Sequence, residues 1–194
     1  MTARKYGVIL ADPPWSFKAY SDKGKGRSAD NHYECLSFES LCAVPVAERA
    51  ARDCALFLWT TDPMLLHALK LIEAWGFTYK TVGFYWVKLN KSAKIHRFAH
   101  GQPSLIHEAD FFTGLGYWTR ANPEMCLLAT RGHPKRKAKN VSRLVVAPRR
   151  EHSRKPDEIY QHIERLVAGP YIELFARQHW PRWDVWGDET SLFG

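Results

Sequence analysis

Asp12, Pro13, Pro14 and Trp15 follow one another in "ILADPPWSF" (residues 9–17), directly after an apolar run. An acid, two rigid prolines and a large aromatic in that order suit one kind of chemistry. The exocyclic amino group of a nucleobase is a poor nucleophile, because its lone pair is delocalised into the ring. A carboxylate and a neighbouring backbone carbonyl that accept its two hydrogens would hold it in place. They would also favour a more tetrahedral nitrogen, freeing the lone pair to attack an electrophilic methyl. Proline lacks an N–H and fixes φ, so two in succession hold a turn whose carbonyls can point into a pocket. An indole face adds a stacking surface worth roughly 1–3 kcal/mol per base. Asp12, the Pro13 carbonyl and Trp15 meet these needs, with Pro14 stiffening the turn. A plain strand-ending turn would explain a bare Asp-Pro-Pro; the strand before it and the aromatic after it favour a site.

Such a motif works only at a defined place in a fold. "YGVILA" (6–11) and "CALFLWT" (54–60) read as buried strands. Between them Ser37 can cap a helix starting at "FESL", and Val46 to Arg52 has helical character. Asp62 and Pro63 supply an N-cap and a first helical proline for "MLLHALKLIEAWG", which stops at Gly76. "YKTVGFYWVKL" is strand-like in its branched and aromatic content. "MCLLAT", "LVVA", "YIELFA" and "WDVWG" are further strands, and Pro156 opens an amphipathic helix, "PDEIYQHIERLVAG". Strands alternating with helices at these spacings predict an α/β fold, a mostly parallel twisted sheet with helices on both faces, in a single domain over 1–194. Asp12 then falls at the carboxyl edge of the sheet, where open α/β folds place their ligands.

A formal charge of +8, with 28 Lys and Arg against 20 acids, predicts an anionic partner, most often nucleic acid. From Arg131 to Arg150 the chain has eight Lys or Arg and no acid. Lys135, Arg136, Lys137 and Lys139 in that run are expected to bind phosphate without reading sequence. Lys18, Lys23, Lys25 and Arg27 follow the Asp-Pro-Pro-Trp motif in a Gly- and Ser-rich stretch and can close over a nucleotide. Lys91, Lys94 and Arg97 belong to a second long polar stretch, Asn90 to Gly116, and target readout is expected in the loop around Asn90 to Tyr117, with Arg120 a further candidate contact just beyond it. The four cysteines form no C-x-x-C pair and no finger-like spacing with histidine, which fits reduced thiols in a cytoplasmic protein. The N-terminus shows no signal pattern, and no apolar run is long enough to span a membrane.

Beyond single motifs, the order of blocks is familiar. "DPPW", "FLWTT" with a helix and "WGF", "GYWTRANPEMCLLATRG", and "EHSRKPDEIYQHIERLVAGPYIELFAR" with a later "GDE" together resemble the adenine N6-methyltransferases of the MT-A70 family, including bacterial and phage DNA-methylating members. The resemblance runs over nearly the whole chain. It implies a Rossmann-like methyltransferase fold and S-adenosylmethionine as methyl donor. It implies that Asp12 binds the target amino group and lies near the donor's amino group, and that Lys155 pairs with the donor's carboxylate. Glu173, Phe175, Arg177 and His179 would line the donor site, and Asp188 and Glu189 occupy positions that hold ribose and adenine in relatives. Two carboxylates do suit two ribose hydroxyls, and a lysine at a helix start suits a carboxylate. Trp180 departs from the pattern, standing where a polar residue is common. Larger relatives carry a segment ahead of the catalytic strand that contributes to the adenine pocket.

A base within a duplex hides its amino group, so the target must be single-stranded or flipped. With no separate recognition domain expected, specificity should be weak or for a short sequence. DNA is favoured over RNA as the polymer. The family's pairing habit implies a homodimer, although no heptad or other local signal marks one. Direct methyl transfer needs no metal, and no histidine spacing suggests one. Two alternatives stay open: methylation of cytosine N4, which uses the same amino-group chemistry, and a catalytically silent nucleic-acid-binding subunit, whose mark would be loss of the catalytic acid.

Overall fold

The apolar runs at 6–11 and 54–60 do form the centre of a sheet. The structure is a computed structural model, which describes residues 4–15, 36–93, 107–151 and 154–187. Among these residues seven strands make one sheet: β1 (Tyr6–Ala11), β2 (Ala50–Thr60), β3 (Thr78–Leu89), β4 (Glu124–Arg131), β5 (Leu144–Pro148), β6 (Tyr171–Leu174) and β7 (Trp183–Trp186). Their spatial order is β5-β3-β4-β2-β1-β6-β7. The last seven residues of β2 are all buried, as expected of a strand covered on both faces.

Among the described residues four α-helices pack on this sheet: α1 (Phe38–Ala43), α2 (Val46–Arg49), α3 (Leu65–Ala74) and α4 (Glu158–Leu166). Side chains that alternate along each strand meet them on opposite faces. Ile9, Ala11, Leu56 and Leu58 join Leu41, Leu71, Ile72 and Trp75 in one core layer. Val8, Leu10, Phe57 and Trp59 join Ile159, Tyr160 and Ile163 of α4 in the other. Each such Leu or Ile contributes roughly 1.5–3 kcal/mol through the apolar surface it buries.

Three local expectations need correcting. The helix expected over Val46 to Arg52 ends at Arg49, because Ala50 is extended and pairs with Tyr6. Asp62 is not a helix cap: it lies inside a 3₁₀ turn, Asp62–Met64, whose cap is Thr61, and α3 starts at Leu65. Regular helix α4 begins two residues after Pro156, since the Asp157 carboxylate bonds Arg150 at 2.6 Å instead of capping the helix. Ser37 does cap α1, its hydroxyl accepting from the Ser40 N–H at 3.1 Å. Gly76 ends α3 at φ +78°, a conformation that favours glycine.

The sheet is parallel except for β4, which runs against both neighbours, β2 and β3. The β3–β4 connection leaves and re-enters the sheet at one edge, and its described part holds only a 3₁₀ turn, Glu108–Asp110. Among its described residues no helix carries the chain across to make a parallel crossover. Glu124, the first residue of β4, therefore starts at the edge where the other strands end. At β1 the connections diverge, since its neighbours are β2 on one side and β6 on the other. That is a topological switch point, which opens a crevice beyond the carboxyl end of β1. No helix among the described residues is long and apolar enough to cross a membrane.

Candidate active site

Asp12 emerges from β1 into that crevice. Two residues beyond Leu10, it continues the alternation toward the α4 face. Glu173 of β6 shares that face, two residues past Tyr171, and Glu124 shares it two residues before Cys126. Lys155 enters from the segment ahead of α4. Strand periodicity thus brings three carboxylates and a lysine together although they are far apart in sequence.

The contacts are close. Lys155 Nζ donates to Asp12 Oδ2 at 2.7 Å and lies 3.4 Å from Glu124 Oε2. Its ammonium also sits 5.5 Å from the centre of the Trp59 ring, a cation–π distance. Glu124 is held on its other oxygen by Lys88. Behind this group the Tyr160 hydroxyl donates to Glu173 Oε2 at 2.8 Å and accepts from Gln178 Nε2 at 3.0 Å. Tyr160 is itself fixed by the Trp180 ring, stacked at 4.7 Å and 9°.

These surroundings set the protonation states. Burial disfavours charge on Lys155, yet Asp12 and Glu124 outweigh it and hold the ammonium above its ordinary pKa. Burial pushes Glu124 up, and Lys155 and Lys88 more than reverse that, so the carboxyl titrates below its usual range. Glu173 goes the other way. Burial, with the negative charge of Asp12 adding to it, pushes its pKa up to about 7 against the pull of Tyr160, Lys155 and Arg177. One crevice therefore holds Lys155 and Glu124 firmly charged beside a carboxyl that titrates near neutrality. Strongly displaced groups of this kind concentrate at functional sites.

Other residues expected at the site fall as follows. Phe175, just past β6, adopts φ +60°, in the left-handed region that bulky residues avoid, and packs edge-on against Trp186. Arg177 is partly buried and close enough to influence both Lys155 and Glu173, while His179 is exposed. The Pro13 carbonyl accepts the Trp15 N–H at 2.8 Å, and the Pro14 carbonyl accepts the Leu36 N–H at 3.2 Å. A carbonyl has two lone pairs, so the Pro13 oxygen keeps capacity for one more donor. Trp15 differs from the open platform expected of it. It is 7% exposed, packed in the α3-side core, with its indole N–H on the Trp59 carbonyl at 3.1 Å. Asp188, Glu189, Lys18, Lys23, Lys25, Arg27, Lys94 and Arg97 lie outside the described residues.

The basic run divides between the two sheet edges. Arg149 and Arg150 follow β5 at the crevice edge, but Lys135, Arg136, Lys137 and Lys139 follow the end of β4, at the opposite edge. Expecting one phosphate-binding surface over the run treats it as if it lay on one side. Arg120 is exposed on the rim, beside the exposed rings of Tyr117 and Trp118. Lys91, also on the rim, is paired with Glu151 at 2.9 Å. A shallow depression there is lined by Asn90, Glu108, Phe111, Phe112, Thr113 and Arg149.

Sequence reasoning assigned no role to Glu124, Lys88, Trp59, Tyr160 or Gln178. A signal existed for Glu124: an acid directly before a buried run, the mirror image of Asp12 directly after one. Only the reversed direction of β4 makes the two equivalent.

Known proteins share this arrangement of sequence. The MT-A70 family model matches residues 6–189. The Type II methyltransferase M.MunI of a Mycoplasma species is 33% identical over 96% of this chain and 78% of its own length. The N(6)-adenosine-methyltransferase MT-A70-like protein of Arabidopsis thaliana is 33% identical over 90% of this chain. The human N(6)-adenosine-methyltransferase catalytic subunit METTL3 is 31% identical over 96%. The chain spans only 22% and 28% of the length of these two eukaryotic proteins.

Proposed function

The chain belongs to the MT-A70 family of adenine N6-methyltransferases, and from that premise we propose that it transfers a methyl group from S-adenosylmethionine to the N6 amino group of adenine in DNA. The observation that carries this reading is the position of Asp12, at the switch point directly beyond β1 and in contact with Lys155. The alignment over most of a bacterial Type II methyltransferase supports DNA as the polymer.

The donor set fits the amino-acid end of S-adenosylmethionine, which carries an ammonium and a carboxylate. A buried lysine among Asp12, Glu124 and Glu173 offers a partner for each charge. Lys155 would take the carboxylate and Asp12 would lie near the ammonium, with Phe175, Arg177 and His179 flanking from the end of β6. When bound, the group supplies an electrophilic methyl. The protein's own part is to orient the acceptor: Asp12 and the Pro13 carbonyl accept the two amino hydrogens, which localises the lone pair on nitrogen. Handing Lys155 from Asp12 to the incoming carboxylate leaves the Asp12 oxygens to the acceptor amine. The adenine must reach this crevice unstacked, since in a duplex its amino group is covered.

Incubation with labelled S-adenosylmethionine and duplex DNA, single-stranded DNA or RNA, followed by digestion to nucleosides, tests the reading. The expected product is N6-methyladenine from DNA. Label in RNA alone would move the substrate to the polymer that the likeness to N(6)-adenosine-methyltransferases favours. Label in cytosine would retain the amino-group chemistry and change the base. No label in any polymer, with binding intact, would leave a nucleic-acid-binding subunit.

A further inference from the structure

The placement of the basic run has a physical consequence for how polymer is held. β4 starts at Glu124 in the crevice and ends at Arg131 seven residues later. At ~3.4 Å per residue the segment that follows is about 24 Å from the site. It is anchored there by three contacts: the His133 N–H on Asp53 Oδ1 at 2.8 Å, the Lys137 N–H on the Leu166 carbonyl at 2.8 Å, and an Arg136–Val167 bridge. Lys137 is committed to this anchoring, its ammonium on the Glu164 carbonyl at 2.8 Å near the carboxyl end of α4.

The cations around it are in a different state from those at the crevice. Near the site, Lys88, Lys91, Arg150 and Lys155 are each paired with a carboxylate. At the far edge Lys135, Arg136 and Lys139 are exposed, and none makes an ion pair among the described residues. Exposed Lys80, near the start of β3, extends the same edge. Between Arg131 and Arg150 there is no acid to neutralise them. A fixed, unpaired positive face is what an anionic polymer's phosphates bind, with release of counterions.

We infer that Lys135, Arg136 and Lys139, with Lys80, form a second nucleic-acid contact on the sheet edge opposite Asp12, which holds the phosphate backbone of the substrate away from the target adenine. This rests on nucleic acid being the substrate, as proposed above. Arg143 stands between the two regions, directly ahead of β5 and level with Phe84 and Cys126, and it reaches Thr81 Oγ1 at 3.3 Å. Duplex DNA rises ~3.4 Å per base pair, so about seven base pairs separate a flipped adenine from phosphates at the far edge. Substrates that end nearer than this engage the crevice alone.

The test is the salt dependence of binding, read by fluorescence anisotropy on duplexes of about forty and about eight base pairs, each with its one A·T pair at the centre, so that the short duplex ends about four base pairs from the target. The variant K135Q/R136Q/K139Q spares Lys137 and the anchoring backbone, and its thermal unfolding should match that of the parent chain. On the long duplex, removal of three cations should lower the slope of log affinity against log salt by between about two and three. On the short duplex slope and affinity should be unchanged. An unaltered slope on the long duplex overturns the inference, and so does an equal loss on both lengths, since the cations would then act near the target. Binding is read without turnover, so this outcome is separate from that of the proposed function. If no polymer is methylated and the slope still changes as expected, the methyl-transfer reading fails and the second contact stands.

Discussion

Asp12 carries the chemistry through one interaction that must change partners. It is now the counter-ion of Lys155 at 2.7 Å, and in the proposed reaction it accepts from an amine. Asp12→Ala and Asp12→Asn should each lower methyl transfer by a factor on the order of 10²–10³, the range for losing one positioned hydrogen-bonding group at a reacting centre. Polymer affinity in the same anisotropy assay should hold. Turnover near the parent rate in Asp12→Ala would remove Asp12 from the mechanism. Glu173 supports a pH prediction. Its carboxyl titrates at about 7 in the folded chain against an ordinary 4.5. The folded state thus binds more protons than the unfolded state between those values, so stability falls as pH rises through this window and levels off above 7. The gap from 4.5 to about 7 corresponds to ~3 kcal/mol. Glu173→Gln keeps a partner for Tyr160 and does not titrate, so urea unfolding should show its advantage over the parent growing by about that much between pH 5 and 8. Parallel pH profiles for the two proteins would mean that Glu173 is not a buried neutral acid.

At the scale of elements, the β3–β4 connection is what reverses β4 and delivers Glu124 to the crevice. Two asparagines tie it down. Asn122 accepts the Lys88 N–H at 3.0 Å and donates to the Lys88 and Phe112 carbonyls at 2.8 and 2.6 Å. Asn90 donates to the Ala109 and Phe111 carbonyls at 2.9 and 3.1 Å. Because Lys88 holds Glu124, loosening this tie also loosens the hold on Glu124. Asn122→Ala removes three hydrogen bonds of ~0.5–1.5 kcal/mol each and should cost about 2–3 kcal/mol in chemical denaturation. Hydrogen exchange should speed up through 107–123 and leave β1 and β2 protected, because the central strands do not depend on this tie. Exchange unchanged in 107–123 would show that other contacts hold the connection.

For the molecule as a whole, a ligand that bridges Asp12, Lys155 and the end of β6 ties together the two halves of the sheet on either side of the switch point. S-adenosylmethionine at a hundredfold excess over its Kd should stabilise the fold by ~2.7 kcal/mol. That is a rise in Tm of roughly 5–11 °C for a chain of this size. Lys155→Ala should abolish the rise. A rise retained in full would place the donor's carboxylate on another residue.

How much of this was legible beforehand follows from the range of each interaction. The α/β class, both central strands, the Ser37 cap and Gly76 stop, and the value of Asp12 as a residue directly after a buried strand all depend on neighbours a few positions apart, which one-dimensional pattern retains. The 3₁₀ start at Asp62 and the early end of α2 are local too, yet they were decided by competing partners that the pattern does not rank. Strand direction is not local at all. An apolar run reads the same whether it enters the sheet from one edge or the other, so "MCLLAT" was recognisable as a strand while the place of its two ends was not. That one binary choice, made by the path of the β3–β4 connection, put Glu124 against Lys155 and sent Lys135, Arg136 and Lys139 to the opposite edge. It also governs charge: burial pushes both Glu173 and Glu124 up, and two lysines reverse that for Glu124 while the negative charge of Asp12 adds to it for Glu173. Composition and short-range pattern determined which residues could do chemistry; tertiary contact decided where each charge stands.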